Sequence, residues 1–104
     1  MTATLIVLAI PKAGAEADER EYLQRVLPLL EQAGGHEAKR LRTLEVLAGQ
    51  PTCSRMLVMD FANAEAIRSL LASPEYQALV PLRERAFSRM DMLLAETLDG
   101  HQSG

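Results

Sequence analysis

Two short segments of this chain are apolar at both parities, and they restrict its fold more than any other feature. Thr4-Leu5-Ile6-Val7-Leu8-Ala9-Ile10 is apolar at odd and even positions alike and rich in β-branched residues. Arg55-Met56-Leu57-Val58-Met59-Asp60-Phe61 is nearly so. A strand of this kind needs both of its faces covered. Both segments are therefore expected in the middle of a sheet, with material packed on each side.

The rest of the chain supplies the partners. The acidic run Glu16, Asp18, Glu19, Glu21 suits the positive end of a helix starting near Ala17 or Asp18. Tyr22, Val26, Leu29, Leu30 and Ala33 recur at helical spacing, Pro28 predicts a kink, and Gly34-Gly35 predicts the stop. His36 to Ala48 predicts an edge strand: Leu44-Glu45-Val46-Leu47 reads as strand, and Lys39, Arg40 and Arg42 make the first half wet. Asn63 caps a helix over 64–72, and Ser73-Pro74 restarts a second helical segment toward Phe87. Arg89 to Thr97, interrupted by charges, predicts the last strand at the other edge.

The order is β-α-β-β-α-β, a ferredoxin-like α+β domain with a four-stranded antiparallel sheet and its first and third strands inside. One domain is expected over 1–98, followed by a flexible polar tail over 99–104. Two helices cover one sheet face. A second copy of the chain is the expected cover for the other, which makes the protein a homodimer through its sheet.

Composition removes several function classes. A chain of 104 residues supports one modest core, and 48% hydrophobic residues is too many for a disordered chain. A net charge of −3 argues against a nucleic-acid coat. The first and third strands also lack the aromatics that stack bases in an RNA-recognition domain. The single cysteine, Cys53, allows no intrachain disulfide and no thiolate metal cluster, and it favours a reducing, cytoplasmic setting. The apolar run Leu5–Ile10 is too short for a membrane span. No metal, no cofactor, no nucleic acid and no membrane are expected as partners.

Gly34-Gly35, then Arg40, then Glu45-Val46-Leu47 with Gly49, then Ser73-Pro74-Glu75-Tyr76-Gln77 leading to Pro81-Leu82-Arg83, resemble the bacterial family catalogued as domain of unknown function 1330. The resemblance runs from the first strand to Glu96, and the S-P-E-Y-Q segment is its most specific part. It implies a dimeric α+β barrel, in which two sheets pack face to face. Members of that superfamily include cofactor-free monooxygenases, small isomerases and cyclases, and haem-dependent enzymes. The family itself implies no settled activity. Two places depart from its pattern: Leu41-Arg42 stand where a glycine pair is usual, and His36-Glu37 where a basic residue precedes an aromatic.

Five residues stand out as candidates for chemistry. Arg40 lies in the matching motif and shares parity with Arg42, so with Lys39 it could hold a carboxylate or phosphate. The same charges also serve to keep an edge strand from pairing with strangers. Tyr22 and Tyr76 each follow a glutamate near the start of a helical segment. Their hydroxyls could orient a ligand between helices and sheet, or simply close the core with a wet tip. His36 is a candidate general base at a pocket mouth or an exposed loop residue. Asp60 is a candidate base if buried, or a carboxylate at the solvent end of its strand.

The expected function is a cofactor-free enzyme or a binder of a small anionic organic molecule, with Tyr22, Arg40 and Tyr76 as ligand-binding residues. The alternative is a non-catalytic dimeric structural or regulatory module. The first requires a pocket with at least one strongly shifted titratable group. The second requires a cleft filled by leucine and methionine.

Overall fold

Burial alternates along the first strand, β1 (Ala3–Pro11): Ala3, Leu5, Val7 and Ala9 are buried, while Thr4, Ile6, Leu8 and Ile10 are half-buried. The computed structural model, which describes residues 2–50 and 53–98, gives the same alternation to β3 (Arg55–Phe61). Both strands are apolar at both parities because one parity meets the helices and the other forms an open sheet face. The remaining strands are β2 (His36–Arg42) and β4 (Phe87–Ala95), and the sheet order is β2-β3-β1-β4. All three pairings are antiparallel, so the two doubly apolar strands are central and the charged ones are edges.

The helices α1 (Glu16–Gln32), α2 (Ala64–Ala72), α3 (Pro74–Gln77) and α4 (Val80–Ala86) supply the other wall of the core. Glu16, Asp18 and Glu19 occupy the first turn of α1, which has no side-chain cap, so they complement its exposed N–H groups. Pro28 lies inside α1 without ending it. The helix closes one turn later in a Schellman arrangement, with Gly34 N donating to Glu31 O at 3.0 Å and Gly35 N to Leu30 O at 2.9 Å. Gly34 takes φ +100°, which a side chain would resist.

Two strand boundaries differ from the sequence expectation. Leu44–Leu47 is not strand: β2 ends at Arg42, and Leu44 and Leu47 are 88% and 87% exposed. The Gly34-Gly35 turn delivers the chain directly to β3, so His36 already pairs with Asp60 and Arg42 with Arg55, and β3 is used up. Backbone pairing decided that register, because an edge strand whose residues are all exposed gains nothing from its apolar pattern. At the other edge, β4 begins at Phe87 rather than Arg89. The tail over 99–104 lies outside the described residues. Among the described residues no helix is long and apolar enough to cross a membrane.

The strand registers sort the side chains. Ile6 faces Val58 and Leu93 across its two neighbours, and Leu8 faces Met56 and Asp91. These lie on the open face together with Lys39 and Leu41 of β2. Arg40 and Arg42 have the opposite parity and lie on the helix side, as do Met90 and Met92 of β4.

Candidate functional site

The helices do not fill the space above the sheet completely. A cavity of about 440 Å³ lies between α1, α3 and the sheet, walled by Leu5, Val7, Val26, Leu57, Met90 and Met92 among others. Tyr22, Arg40 and Tyr76 all line it, and so do Glu19, Arg42 and Arg55.

Local sequence explains why each tyrosine points there. Tyr22 lies on the buried stripe of α1 with Val26 and Leu30, and its ring meets Phe87 edge to face at 5.6 Å. Tyr76 is held by the S-P-E-Y-Q segment. Ser73 Oγ accepts from Tyr76 N at 3.2 Å and donates to Leu70 O at 2.6 Å, Pro74 opens α3, and Gln77 Nε2 reaches back to Leu71 O at 2.7 Å. The most recognisable stretch of the sequence is therefore a device that fixes one phenol.

The two hydroxyls meet at 2.8 Å, although 54 residues separate them. Arg83 Nη1 donates to the Tyr76 hydroxyl at 2.9 Å. The thioethers of Met90 and Met92 stand 3.8 Å from the Tyr22 hydroxyl and 3.9 Å from that of Tyr76. Burial pushes the Tyr22 phenol well above its ordinary value; Tyr76 adds to the rise by charge and hydrogen bond, and Arg83 opposes it. Tyr22 is thus held as a neutral O–H donor in an apolar wall.

The rim has the opposite character. Three arginines, Arg40, Arg42 and Arg55, and one carboxylate, Glu19, are among the cavity's lining residues. Glu19 is paired to Arg55 at 3.0 Å, whereas Arg40 and Arg42 form no ion pair among the described residues. A positive rim over an apolar, phenol-lined interior suits a ligand with an anionic end and an apolar body.

The remaining candidates lie elsewhere. His36 is exposed, its Nδ1 is 3.1 Å from Gly34 O, and it does not line the cavity. Asp60 is half-buried on the open face, where it accepts from Thr4 Oγ1 at 2.7 Å; it is not the last residue of β3. Arg83, Arg55 and Glu19 belong to the site's polar frame and were not singled out from the sequence. Arg83 did carry a signal: it follows Tyr76 by seven residues, two helical turns, and so shares a face with it.

Comparison with solved structures shows the fold widely shared. The protein of unknown function RPA0582 from Rhodopseudomonas palustris superposes with a TM-score of 0.79 at 14% identity, covering 94% of this chain and 83% of that one. A dimeric ferredoxin-like protein of unknown function from Jannaschia sp. CCS1 gives 0.75 at 13% identity, over 93% and 100% of the two chains. SnoaB, a cofactor-independent oxygenase from Streptomyces nogalater, gives 0.74 at 15% identity, over 94% of each. A comparison with curated protein sequences finds no match. The Ser73–Gln77 turn that fixes Tyr76 and the Gly34-Gly35 turn that sets β2 both fall inside residues 4–98, the span matched by one family profile, and the chain belongs to that family, the Domain of unknown function (DUF1330).

Proposed function

We propose that the helix–sheet cavity receives a small organic anion and that the protein acts on it, or carries it, without a cofactor. The observation that carries this reading is the pairing of a positive rim with a largely apolar, partly open cavity lined by two hydrogen-bonded phenols. A purely structural module would be expected to fill that space with leucine and methionine. Here about 440 Å³ is left open, and Tyr22 is strongly shifted. The structural likeness to a cofactor-independent oxygenase is in keeping with chemistry of this kind.

In this reading Arg40 anchors a carboxylate at the rim and the tyrosines fix the inner end of the ligand. Thermal shift with a panel of aromatic and aliphatic carboxylates tests it, with the Arg40→Ala variant alongside. Compounds that stabilise the parent should bind the variant more weakly by roughly 1.5–3 kcal/mol, the value of a charge-assisted hydrogen bond. Fold stability should barely change, because Arg40 is exposed on an edge strand. If no carboxylate stabilises the parent, or all stabilise both proteins equally, the anion site is wrong.

We further propose that the chain works as a homodimer through the open sheet face. Ile6, Leu8, Met56, Val58, Leu41 and Leu93 lie together on that face, and Leu93 and Leu41 are 47% and 42% exposed. Leu44 and Leu47, in the segment after β2, are exposed apolar residues as well. The Jannaschia neighbour, described as dimeric, is in keeping with a dimer.

A further inference from the structure

Counting protons around the tyrosine pair shows that the cavity holds a hydrogen-bond donor in reserve. A guanidinium can only donate, so the 2.9 Å contact from Arg83 uses a lone pair of the Tyr76 oxygen and leaves the Tyr76 proton to go elsewhere. Two phenol protons remain. The acceptors within reach are the other phenol's oxygen at 2.8 Å and the sulfurs of Met90 and Met92 at 3.8 and 3.9 Å. Only one proton can lie between the two oxygens. Whichever tyrosine supplies it, at least one phenol O–H is therefore spent on a thioether, which is a weak acceptor.

Arg83 decides which. Accepting from a cation makes the Tyr76 hydroxyl the stronger donor, so its proton points to Tyr22. The Tyr22 proton is then the one resting on Met90, inside the cavity. Burial keeps that phenol protonated. The sequence Arg83, Tyr76, Tyr22 is thus a chain of donors running from a cation toward the cavity lined by Met90, Met92 and Leu57.

We propose that Tyr22 and Tyr76, polarised by Arg83, form an oxyanion-binding couple, and that the ligand carries an enolate or phenolate oxygen. This rests on the reading of the cavity as an anion site and deepens it. The ligand oxygen displaces a sulfur from the Tyr22 proton and gains a full hydrogen bond. Its charge lies three hydrogen bonds from a guanidinium, through Tyr22 and Tyr76, in surroundings where such bonds are stronger than in water. Tyr22 offers its proton and keeps it. Arg83 acts through Tyr76 and is a positioning residue.

The test uses 4-nitrophenol, whose colour reports its own ionisation, together with 4-nitrobenzoate, which is anionic throughout. With wild-type protein in excess, the bound nitrophenol should ionise about one pH unit lower than the free compound, a preference of about tenfold for the phenolate. Tyr22→Phe should abolish the shift, Arg83→Met should remove most of it, and Arg83→Lys should restore much of it. Arg40→Ala should weaken 4-nitrobenzoate. Circular dichroism checks that each variant is folded; should Tyr22→Phe fail to fold, Tyr76→Phe and the two Arg83 variants decide. A wild-type protein that binds nitrophenol without shifting its ionisation overturns the couple, as does a shift that survives in the tyrosine and Arg83→Met variants. If 4-nitrobenzoate still binds in an Arg40-dependent way, the anion site stands and only this inference falls. If neither compound binds, both fall.

Discussion

Arg55 Nε donates to Glu19 Oε2 at 3.0 Å, tying β3 to α1 across the rim of the cavity. The contact engages one rim guanidinium and supplies the only carboxylate among the described residues that line the space. It acts as a brake on the rim's positive potential.

Releasing that brake should tighten anion binding. In Glu19→Gln the negative charge is gone and Arg55 is left with a weaker partner. Affinity for a carboxylate ligand is expected to rise by about two- to fivefold at low salt, the scale of a partly exposed ion pair. The gain should shrink as salt is added. Fold stability should fall by no more than about 1 kcal/mol, since the Arg55 side chain is 40% exposed and can turn to water. Isothermal titration at two ionic strengths, beside thermal unfolding, measures all three. Weaker binding in the variant would mean that Glu19 is itself a ligand contact.

Tyr22 gives stability an alkaline limit. Its folded phenol holds its proton more tightly than the unfolded one, so its contribution is fully present below the ordinary phenol range, near ~10. Above that range the unfolded chain releases the proton while the folded chain retains it. Stability then falls by up to about 1.4 kcal/mol per pH unit from this group until the folded phenol itself ionises. Urea unfolding between about pH 9 and 11 should therefore show a steeper loss for the parent than for Tyr22→Phe. With two tyrosines and no tryptophan in the chain, tyrosinate absorbance reads this pair alone. Parallel curves for parent and variant would show that the phenol is not held neutral by the fold.

The architecture was legible because β1 and β3 are apolar at both parities, which favours central positions in a sheet, and the structure buries the helix-side parity. Val7 is buried beneath the helices, and Val58, half-buried on the open face, has a paired strand on each side. Tyr22 and Tyr76 were legible as candidates through their helical spacing and the S-P-E-Y-Q turn. Leu44–Leu47 misled for a physical reason: its apolar pattern resembles a strand, but Gly34-Gly35 and the length of β3 had already fixed which residues pair. The polar frame was harder to see. Glu19 meets Arg55 across 36 residues, and the phenol pair forms only when α1 and α3 lie over the same part of the sheet. Pairings of that kind are tertiary facts with no local period.

The turn after α1 is expected to be intolerant of a single methyl group. A Cβ at Gly35 would meet the Met59 sulfur, stand 2.8 Å from Leu30 O and lie 2.9 Å from Phe61 Cζ. The sulfur can yield, but the carbonyl and the fully buried Phe61 ring cannot. Gly35→Ala should cost about 1–3 kcal/mol, the range for overpacking. Gly34→Ala meets no atom within 4 Å and suffers only its φ of +100°, so roughly 1 kcal/mol is expected. Denaturant midpoints for the two variants rank them; equal losses would place the strain in the backbone rather than in the packing against Phe61.

The two faces of the sheet can be separated by placing one lysine on each. Val7 is buried beneath the helices, 9% exposed, with Leu57 and Met92 beside it. Val58 is half-buried on the open face, between Ile6 and Lys39. In Val7→Lys the ammonium is forced among the apolar walls beneath the helices, which costs several kcal/mol, and the chain should not fold. In Val58→Lys the monomer can extend the side chain into solvent, so the fold should survive. A face-to-face dimer would have to bury that charge beside Lys39 in each copy, and it should dissociate. Light scattering and circular dichroism at micromolar concentration distinguish the cases. The expected set is a folded dimer for the parent, a folded monomer for Val58→Lys and no fold for Val7→Lys. A parent that is a stable monomer, or a Val58→Lys variant that stays dimeric, would move the partner off this face and leave Ile6, Leu8 and Leu93 as an apolar surface in need of another cover.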